Sequence, residues 1–495
     1  MPPTSAQKLV VALAETARSR GGRALLVGGC VRDHILGIEP KDLDVELFGV
    51  SEAESQRVLG SVAQHVVRVG RSFPVFKAWD DEMGAGNAVD VALPRREVKT
   101  GDRHSDFAVQ VDPAMPFAEA AARRDFTINA ISMDPLTGEL IDPHGGVGDL
   151  RNGILRHVSD RFAEDPLRVL RGMQFCGRFG LEADPSTISF CRGLDAGEMF
   201  PERIFEEWQK FILKSKVPSK GLGFLEATGW DRHFPEVAAL KGVKQDPAWH
   251  PEGDADIHTR LCLDAFAKRR VGDPEKDLRV GLAVLCHDFG KATHTQFVDG
   301  KWTSHGHAEA GAGPTATFLR RMSDQTALVD GVTVLVTNHM LPGTLHKETK
   351  SAGDPASMDH VVRRLALKLG RVGTSIDELC TVVECDKAGR PPLPEHSAGA
   401  EWLRSRAEAA CVLHEKPKTL LMGRDLIDLG LRPGVGFKPV LEEAFNRQMS
   451  GEIKTHEDAV AFAQSWLARG TTDASPRFRP LPTPGGVAQN HEPGT

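Results

Sequence analysis

Two glycines and two aspartates in the N-terminal part of the chain have types and a spacing that could do chemistry. Gly28 and Gly29 end an apolar run, and Asp42 and Asp44 stand at the start of the next one. Residues i and i+2 of a strand point to the same face, so the two carboxylates can converge on hard cations such as Mg²⁺. A glycine turn before a helix lets backbone amides approach phosphates, and Arg32 adds a guanidinium that can bind them. This group indicates a site for a metal-bound phosphate compound.

A second group lies at residues 164–171, which read EDPLRVLR. The helical spacing predicts that Asp165 and Arg168 are i, i+3 neighbours on one helix. Aspartate only accepts and arginine only donates hydrogen bonds, so the pair complements a base edge with an exocyclic amine beside a ring-nitrogen acceptor. Cytosine and adenine have that edge, whereas guanine and uracil would leave both side chains mispaired at about 1–3 kcal/mol each. The alternative interpretation is an ordinary salt bridge within a helix.

A third group combines imidazoles and carboxylates in the second half of the chain. His287 and Asp288 are adjacent, so one helix turn can supply two ligands. Imidazoles together with carboxylates suit Mn²⁺, Ni²⁺, Zn²⁺ or Fe²⁺, and a water bound to such an ion becomes a nucleophile. Any one of these histidines alone would more often be structural, but the ordered series predicts a metal site. Its candidate ligands are His258, His287, Asp288, His307, His339 and Asp386.

The elements that must position the first group are short strands around a glycine turn. The apolar run 24–27 predicts a strand, and residues 31–36 predict a helix after the turn. Further β-rich runs at 45–48, 66–69, 75–79 and 89–93 predict a small mixed sheet. Residues 94–115 have little periodicity and predict a mobile loop. From about residue 148 the spacing becomes helical, which predicts that the remainder is mainly α.

The size and composition of the chain favour a multidomain globular protein. Its 495 residues exceed what one hydrophobic core usually supports. No apolar stretch approaches the roughly 20 residues needed to cross a bilayer, and the N-terminus lacks a secretory signal, so a cytoplasmic protein is expected. The eight cysteines lack C-x-x-C spacing and predict neither disulfides nor a zinc ribbon. The formal charge of −7 argues against a uniformly basic surface but allows a local basic groove.

The order of the motifs resembles that of the class II tRNA nucleotidyltransferases and bacterial poly(A) polymerases. The matching motifs are GGxVRDxxLG, DxD, the RRDFTINA of residues 123–130, the DPHGG of 142–146 and EDPLRVLR, followed by an H…HD…D series similar to that of HD phosphohydrolases. The resemblance implies an α+β chain: an N-terminal nucleotidyltransferase head with a small mixed β-sheet, then a mostly α-helical neck and body, and an α-helical HD domain. The implied domains are a catalytic head (21–147), a helical neck for base recognition and RNA binding (148–243), an HD domain (250–390), a C-terminal helical RNA-binding tail (391–469) and a disordered tail (470–495).

The resemblance also implies an activity, its partners and the residues that carry it. The chain would add CMP and AMP from CTP and ATP to the 3′ end of tRNA, with Asp42 and Asp44 as catalytic ligands of Mg²⁺. The HD site would hold Ni²⁺, Mn²⁺ or another divalent ion and act as a phosphodiesterase or phosphatase. Gln174 stands where some relatives have a further nucleotide-binding arginine. The implied nucleotide-binding residues are Gly28, Gly29, Arg32, Arg124, Asp125, Asp165, Arg168 and Arg171.

Three other functions are compatible with parts of this pattern. A poly(A) polymerase, a CC-adding or an A-adding enzyme would share the same motifs, although the VGRSFPVF of residues 69–76 is closer to CCA-adding enzymes. An HD phosphohydrolase with a vestigial head is disfavoured by the intact Asp42, Asp44 and Arg168. A non-catalytic RNA-binding protein would not need the paired carboxylates. The motifs leave the HD metal and the oligomeric state open.

Overall fold

The computed structural model describes residues 4–69, 75–99, 107–197, 199–354 and 357–470. The chain forms two compact units, Met1–Ala238 and Ala239–Thr495. Residues 70–74 of the VGRSFPVF segment and 471–495 of the predicted disordered tail lie outside the described residues. Within the described ranges, no helix combines the length and the apolar character that crossing a bilayer requires. The five predicted domain boundaries stay predictions.

The first unit contains the mixed sheet that the β-rich runs predict. The strands of this unit are β1 Arg23–Val27, β2 Asp44–Phe48, β3 His65–Val69, β4 Val75–Trp79, β5 Val89–Ala92, β6 Arg95–Lys99, β7 Phe107–Val111, β8 Ser132–Met133, β9 Leu140–Ile141, β10 Ile154–Leu155 and β11 Glu182–Ala183. Among the described residues the strand order of the mixed sheet is β3-β4-β5-β2-β1-β8-β9, with β2 and β5 parallel and the other neighbours antiparallel.

The sheet is stabilised by apolar side chains that alternate with polar ones along its strands. Leu47, Phe76 and Val91 point to one face and are buried against Leu13 and its neighbours from the first helix. The residues that alternate with them in the same strands point to the opposite face, and they include the charged residues of the candidate site. The hydrophobic pattern therefore determines the face on which the carboxylates lie.

Two strands replace part of the predicted mobile loop. β6 and β7 pair in antiparallel register, from Arg95 opposite Val111 to Lys99 opposite Phe107. The loop prediction is wrong for these ten residues, and residues 100–106 between them lie outside the described ranges. A hairpin is hard to recognise from sequence here because the two strands are not joined by a two-residue glycine turn.

The helices of the first unit pack against the sheet and against one another. They are α1 Ser5–Ser19, α2 Gly29–Ile35, α3 Glu52–Val62, α4 Phe117–Ala121, α5 Gly146–Arg151, α6 Leu167–Phe179, α7 Pro185–Arg192, α8 Pro201–Lys214, α9 Pro218–Ala227 and α10 Pro235–Ala238. α6 packs against α8 and α9, and Gly172 of α6 permits the approach of α9 because a Cβ there would lie 2.7 Å from the Phe224 ring. Gly180 ends α6 in the left-handed conformation (φ 67°).

The second unit is helical apart from one short hairpin in the part of the chain that the structure describes. Its helices are α11 Ala255–Ala267, α12 Pro274–Cys286, α13 Lys291–His294, α14 His307–Ala310, α15 Ala312–Arg320, α16 Thr326–Asn338, α17 Leu341–Ala352, α18 Asp359–Gly370, α19 Ile376–Ala388, α20 Ala398–Ala409, α21 Gly423–Asp428, α22 Phe437–Ser450 and α23 His456–Gly470; the strands are β12 Gln296–Val298 and β13 Lys301–Thr303. α11 packs against α19, and α12 packs against α16. Asp273 caps α12 by accepting from the amides of Glu275 and Lys276, so the helix has a defined start.

Candidate functional site

The paired aspartates of the first unit lie at the beginning of β2. Asp44 is the first residue of the strand, and Asp42 stands in the bend just before it. On the neighbouring parallel strand, Asp90 is the register partner of Asp44, and its Oδ1 is 2.8 Å from Nζ of Lys77. Asp44 is accessible to solvent, yet the protein around it raises its pKa by partial desolvation; Arg124 opposes this rise, and Asp90 and Asp42 add to it. Three carboxylates thus share one region, which is the arrangement that a divalent cation stabilises.

Arg124 connects these carboxylates to the glycine turn. Its Nη2 is 3.5 Å from Oε2 of Glu46, which lies two residues after Asp44 and therefore on the same face of β2. Gly28 caps the start of α2 with φ 77°, and a Cβ at this position would lie 2.7 Å from Nη1 of Arg124. Glycine is needed here for both reasons, the backbone angle and the close approach of the guanidinium. Gly29 follows as the first residue of α2.

Arg32 lies on α2, just after the glycine turn, and is buried inside the first unit. Only 4% of it is exposed, and its guanidinium lies over the ring of Phe179 at 4.5 Å. It donates to Oδ1 of Asn129 at 2.6 Å and to Oδ1 of Asp33 at 2.7 Å. Burial lowers the pKa of Arg32, and Asp33 opposes this effect. In this structure the side chain of Arg32, the predicted phosphate-binding arginine, joins α2 to Asn129 and to the ring of Phe179.

Asp125 joins the RRDFTINA segment to α6. Its Oδ1 accepts from the amide of Phe126 at 2.7 Å and from Nδ2 of Asn129 at 3.0 Å, and its Oδ2 accepts from Nε of Arg171 at 2.7 Å. Burial alone would raise the pKa of Asp125, but Arg171 and these hydrogen bonds lower it below its ordinary value. Since Asn129 also binds Arg32, one network links α2, the RRDFTINA segment and α6.

Asp165 and Arg168 do not share a helix, so the predicted i, i+3 arrangement is wrong. α6 begins at Leu167, and Asp165 has extended backbone angles (φ −135°, ψ 99°). The reason is Pro166, because the residue before a proline is disfavoured from helical angles. The alternative interpretation, an ordinary salt bridge within a helix, does not apply either, because each side chain contacts other residues.

Each member of this pair is held by a different partner. Oδ2 of Asp165 is 2.8 Å from Nη2 of Arg203, a residue of α8. Arg168 donates from Nη1 to the main-chain oxygen of Arg161 and from Nη2 to that of Arg123, both at 2.8 Å. Both side chains are therefore held in place by other residues of the first unit.

Several residues of the first unit escaped the sequence interpretation. Asp90 stands alone in a short strand of the sequence, and its partnership with Asp44 depends on strand order. Glu46 continues the i, i+2 series of Asp42 and Asp44, which is a signal that could have identified it. Arg203 carries no such signal, because its contact with Asp165 joins distant segments.

The six predicted ligands of the second unit come together in one buried cluster. All are at most 8% exposed. His258 lies on α11, His287 and Asp288 directly follow α12, His307 begins α14, His339 directly follows α16 and Asp386 lies on α19. The linking distances are His258 Nε2 to Asp386 Oδ1 3.0 Å, His258 Nε2 to His287 Nε2 3.4 Å, His287 Nε2 to Asp288 Oδ2 3.3 Å, Asp288 Oδ1 to His307 Nε2 3.4 Å and His307 Nε2 to His339 Nε2 3.2 Å.

Each of the four imidazoles of the cluster is oriented by a contact at its Nδ1 atom. In three of them Nδ1 faces a main-chain oxygen three residues earlier, at 2.6–2.7 Å. In His258, Nδ1 is 2.7 Å from Oε1 of Glu252. In the three rings whose Nδ1 donates to a main-chain oxygen, Nε2 carries a lone pair directed into the cluster, which is the tautomer that metal-binding histidines adopt. His258 differs, because Cys262, Asp386 and Glu252 raise its pKa well above the ordinary value although burial opposes this. Burial lowers the pKa of His339 to about 3 and also lowers that of His307, so these rings are neutral and able to bind an ion.

The two carboxylates of the cluster are charged. Burial would raise the pKa of Asp288, but His287 and Lys291 lower it well below its ordinary value. Arg390 and His258 do the same for Asp386. Nζ of Lys291 lies 2.7 Å from Oδ2 of Asp288, but neither oxygen of that carboxylate accepts a hydrogen bond of good geometry from the described residues. A buried carboxylate with lone pairs open toward neighbouring imidazole nitrogens fits a divalent cation.

Two further side chains belong to this cluster and were not among the predicted ligands. Glu252 contacts His250 as well as His258, and although burial opposes it, these two histidines lower the pKa of Glu252 to about 2. Desolvation in turn lowers the pKa of His250 to about 4. Cys262, one helical turn after His258, places its sulfur 3.3 Å from His258 Nε2. The i, i+4 spacing of His258 and Cys262 is visible in the sequence but common without a metal.

The sheet, the glycine turn and the carboxylates of the first unit define a nucleotidyltransferase head. Residues 24–156 match the family model described as the poly A polymerase head domain. The "multifunctional CCA protein" of Xanthomonas campestris pv. campestris (strain B100) is 34% identical over 400 residues, covering 78% of this chain and 90% of the relative. That of Xylella fastidiosa (strain 9a5c) is 35% identical over 379 residues, covering 74% and 84%. The chain therefore belongs to the family of the multifunctional CCA proteins, the class II nucleotidyltransferases that its motifs resemble.

Solved structures confirm the predicted fold class. The Bacillus stearothermophilus CCA-adding enzyme in complex with CTP has a TM-score of 0.59 and 21% identity, covering 95% of this chain and 100% of that one. The Thermotoga maritima CCA-adding enzyme complexed with tRNA has a TM-score of 0.54 and 18% identity, covering 94% and 99%. At these identities the likeness concerns the fold.

Proposed function

We propose that this chain adds CMP and AMP, taken from CTP and ATP, to the 3′ end of tRNA. The observation that carries the proposal is the group of Asp42, Asp44 and Asp90 beside the Gly28–Gly29 turn, in a chain of this family. The names of the relatives, and the CTP and tRNA with which the similar enzymes are complexed, agree with this choice. Poly(A), CC-only and A-only addition remain the alternative products.

In the proposed reaction the protein positions its substrates and performs no covalent chemistry itself. Asp42 and Asp44 would hold Mg²⁺, which when bound lowers the pKa of the RNA 3′-hydroxyl and neutralises charge on the triphosphate. The amides that follow Gly28 and the guanidinium of Arg124 would orient the triphosphate. Asp165 and Arg168, each fixed by other residues, would read the amine and ring nitrogen of cytosine or adenine. Positioning and charge stabilisation then supply the rate.

The reaction is tested by the lengths of its products. Purified full-length protein is incubated with Mg²⁺ and a tRNA lacking its last three nucleotides, together with ATP, CTP, both, or all four nucleotides. A product three nucleotides longer that requires both ATP and CTP is expected. A long ladder with ATP alone would instead identify a poly(A) polymerase, a stop at two or one added nucleotides would identify a CC- or A-adding enzyme, and no extension would refute the proposal.

Replacing Gly28 by Ala is expected to weaken nucleotide use more than the same change at Gly21. Both glycines have φ 77°, so an alanine is strained at either position. At Gly28 the new Cβ would meet Nη1 of Arg124 at 2.7 Å, whereas at Gly21 none of the described residues lies within 4 Å. The difference between the two variants therefore includes the effect of displacing Arg124. It is measured as KM for CTP and ATP, and equal values for the two variants would contradict a role of Arg124 in triphosphate binding.

We further propose that the second unit carries a metal-dependent phosphohydrolase site. The observation that favours it is the convergence of four imidazole Nε2 atoms and two charged carboxylates in one buried cluster. The residues that would hold the metal are His258, His287, Asp288, His307, His339 and Asp386. A divalent ion, such as Ni²⁺ or Mn²⁺, supplies a water of lowered pKa for attack on a phosphoester. Lys291 and Arg390 would compensate the carboxylate charge.

Replacing Asp288 by Asn is expected to lower the divalent metal content of the purified protein at least tenfold without affecting CCA addition. The amide has the shape of the carboxylate but lacks the charge that faces the imidazoles. Metal is measured by elemental analysis after dialysis against Ni²⁺ or Mn²⁺ and desalting. Asp330→Asn, an exposed position on α16, is the matched control. Equal metal content in the Asp288 variant and the control would refute the site.

The cysteines support a cytoplasmic location, which we propose on this ground. All eight are unpaired, and seven of them are buried. Free buried thiols are typical of proteins in a reducing compartment.

A further inference from the structure

The sulfur of Cys262 lies among the atoms that face the buried cluster of the second unit. The ligand atoms of His258, Cys262, His287 and Asp386 all lie within 4.8 Å of one another. Cys262 is on α11 one turn after His258, and helical residues four apart lie on the same face. Sulfur, nitrogen and oxygen donors from three segments therefore converge on one small volume.

The packing around the sulfur keeps it at the cluster. Gly389, directly after α19, lies against Cys262, and a Cβ at residue 389 would collide with Sγ. The main-chain oxygen of Asp386 makes only a weak contact with the sulfur, at 3.9 Å. Nε2 of His258 is closer, at 3.3 Å, and this nitrogen itself faces the cluster. These contacts hold the thiol toward the cluster.

Next to these four atoms, the cluster contains a further sign of a ligand. Asp288 is 1% exposed and its Oδ2 lies 2.7 Å from Nζ of Lys291, but neither carboxylate oxygen accepts a hydrogen bond of good geometry from any residue that the structure describes. Its Oδ2 lies 3.3 Å from Nε2 of His287, which in turn is 3.4 Å from Nε2 of His258. Buried nitrogen and oxygen atoms at these distances from one another are close enough to bind one cation together.

We infer that Cys262 is a sulfur ligand of the ion held by His258, His287 and Asp386. Zinc-like ions bind sulfur at about 2.3 Å and imidazole nitrogen at about 2.0–2.1 Å, so tetrahedral ligand pairs lie roughly 3.3–3.6 Å apart. The observed separations of 3.3 Å for Sγ and 3.4 Å for His287 Nε2 from His258 Nε2 fit this range. On coordination the metal–sulfur bond forms and the thiol proton passes to the solvent. The inference rests on the metal site proposed above and adds its sulfur donor.

A sulfur donor restricts the choice of metal. Thiolate and imidazole together favour Zn²⁺, Co²⁺, Ni²⁺ or Fe²⁺, whereas all-oxygen sets favour Mg²⁺ and Mn²⁺. With Cys262 as a ligand the second unit would prefer the first group of ions. The head, which offers carboxylates, would prefer Mg²⁺.

The test uses Co²⁺ as the probe and the full chain after treatment with a chelator. A titration followed by absorbance should show an intense near-ultraviolet band from sulfur-to-cobalt charge transfer. Cys262→Ser should lose this band and bind Co²⁺ about 10- to 100-fold more weakly. Cys380→Ser is the matched control, since that thiol lies on α19 and donates to the main-chain oxygen of Ala400 at 3.5 Å. Circular dichroism checks that each variant is folded.

The outcomes separate this inference from the metal site on which it rests. Co²⁺ binding by the unaltered protein without the charge-transfer band would overturn the sulfur ligand and leave the histidine site standing. No Co²⁺ binding at all would overturn both. The band and the affinity surviving in Cys262→Ser would likewise exclude Cys262. Should that variant fail to fold, X-ray absorption of the Co²⁺-loaded unaltered protein decides, because a sulfur neighbour at about 2.3 Å is expected and its absence refutes the inference.

Discussion

Replacing Asp44 by Asn is expected to slow nucleotide addition on the order of a thousandfold, equivalent to about 4 kcal/mol of transition-state stabilisation. The amide cannot balance the charge of a divalent ion. The neighbouring carboxylates cannot take over, because Asp90 is paired with Lys77 at 2.8 Å and Glu46 with Arg124 at 3.5 Å. The rate is measured as CMP incorporation into a tRNA that lacks its 3′ end.

Asp81→Asn is the matched control for this change. Asp81 belongs to the same unit, its side chain is 82% exposed, and it pairs with His65 at 2.7 Å. The control should retain nearly the full rate, since exposed ion pairs contribute little to stability. A loss of less than tenfold in Asp44→Asn would remove Asp44 from the catalytic residues and favour the view that the head is vestigial.

The architecture of the head could be read from its sequence because local patterns determine it. The runs 45–48, 66–69, 75–79 and 89–93 each became a strand of the mixed sheet. The Gly28–Gly29 turn requires a backbone angle that the residue type itself indicates. Strand order could not be predicted in this way, since no local pattern places β5 beside β2. For that reason the partnership of Asp90 with Asp44 is known only from the fold.

The contacts of Asp165 and Arg168 likewise could be predicted only in part. Pro166 is a local signal, and its place in the sequence is enough to put Asp165 outside the helix. The contact of Arg203 could not be predicted, because a salt bridge between residues 38 positions apart depends on how α8 packs against α6. In the second unit the six predicted ligands follow a recognisable series, whereas the orientation of their rings depends on main-chain oxygens and on Glu252.

Replacing Asp125 by Ala is expected to destabilise the first unit by about 2–4 kcal/mol. The change leaves Arg171 without its partner, and it removes the acceptor of Asn129 and of the Phe126 amide. The expected loss of stability lies in the lower part of the range that is usual for breaking a buried ion pair, because 38% of the Arg171 side chain is exposed and water can solvate it. For a unit of this size, thermal unfolding of the full chain should shift down by roughly 5–10 °C. The exposed Asp81→Ala should shift it by far less.

The pH dependence of this loss distinguishes a charged carboxylate from a merely packed side chain. Because the folded-state pKa of Asp125 lies below its ordinary value, its contribution is fully present above the unfolded-state pKa of about 4 and is lost as the pH falls through the folded-state value. The unaltered protein and Asp125→Asn should therefore differ in unfolding free energy at neutral pH and converge in acid. A difference that stays constant with pH would show that Asp125 acts through packing alone, and the network joining α2, the RRDFTINA segment and α6 would then not depend on its charge.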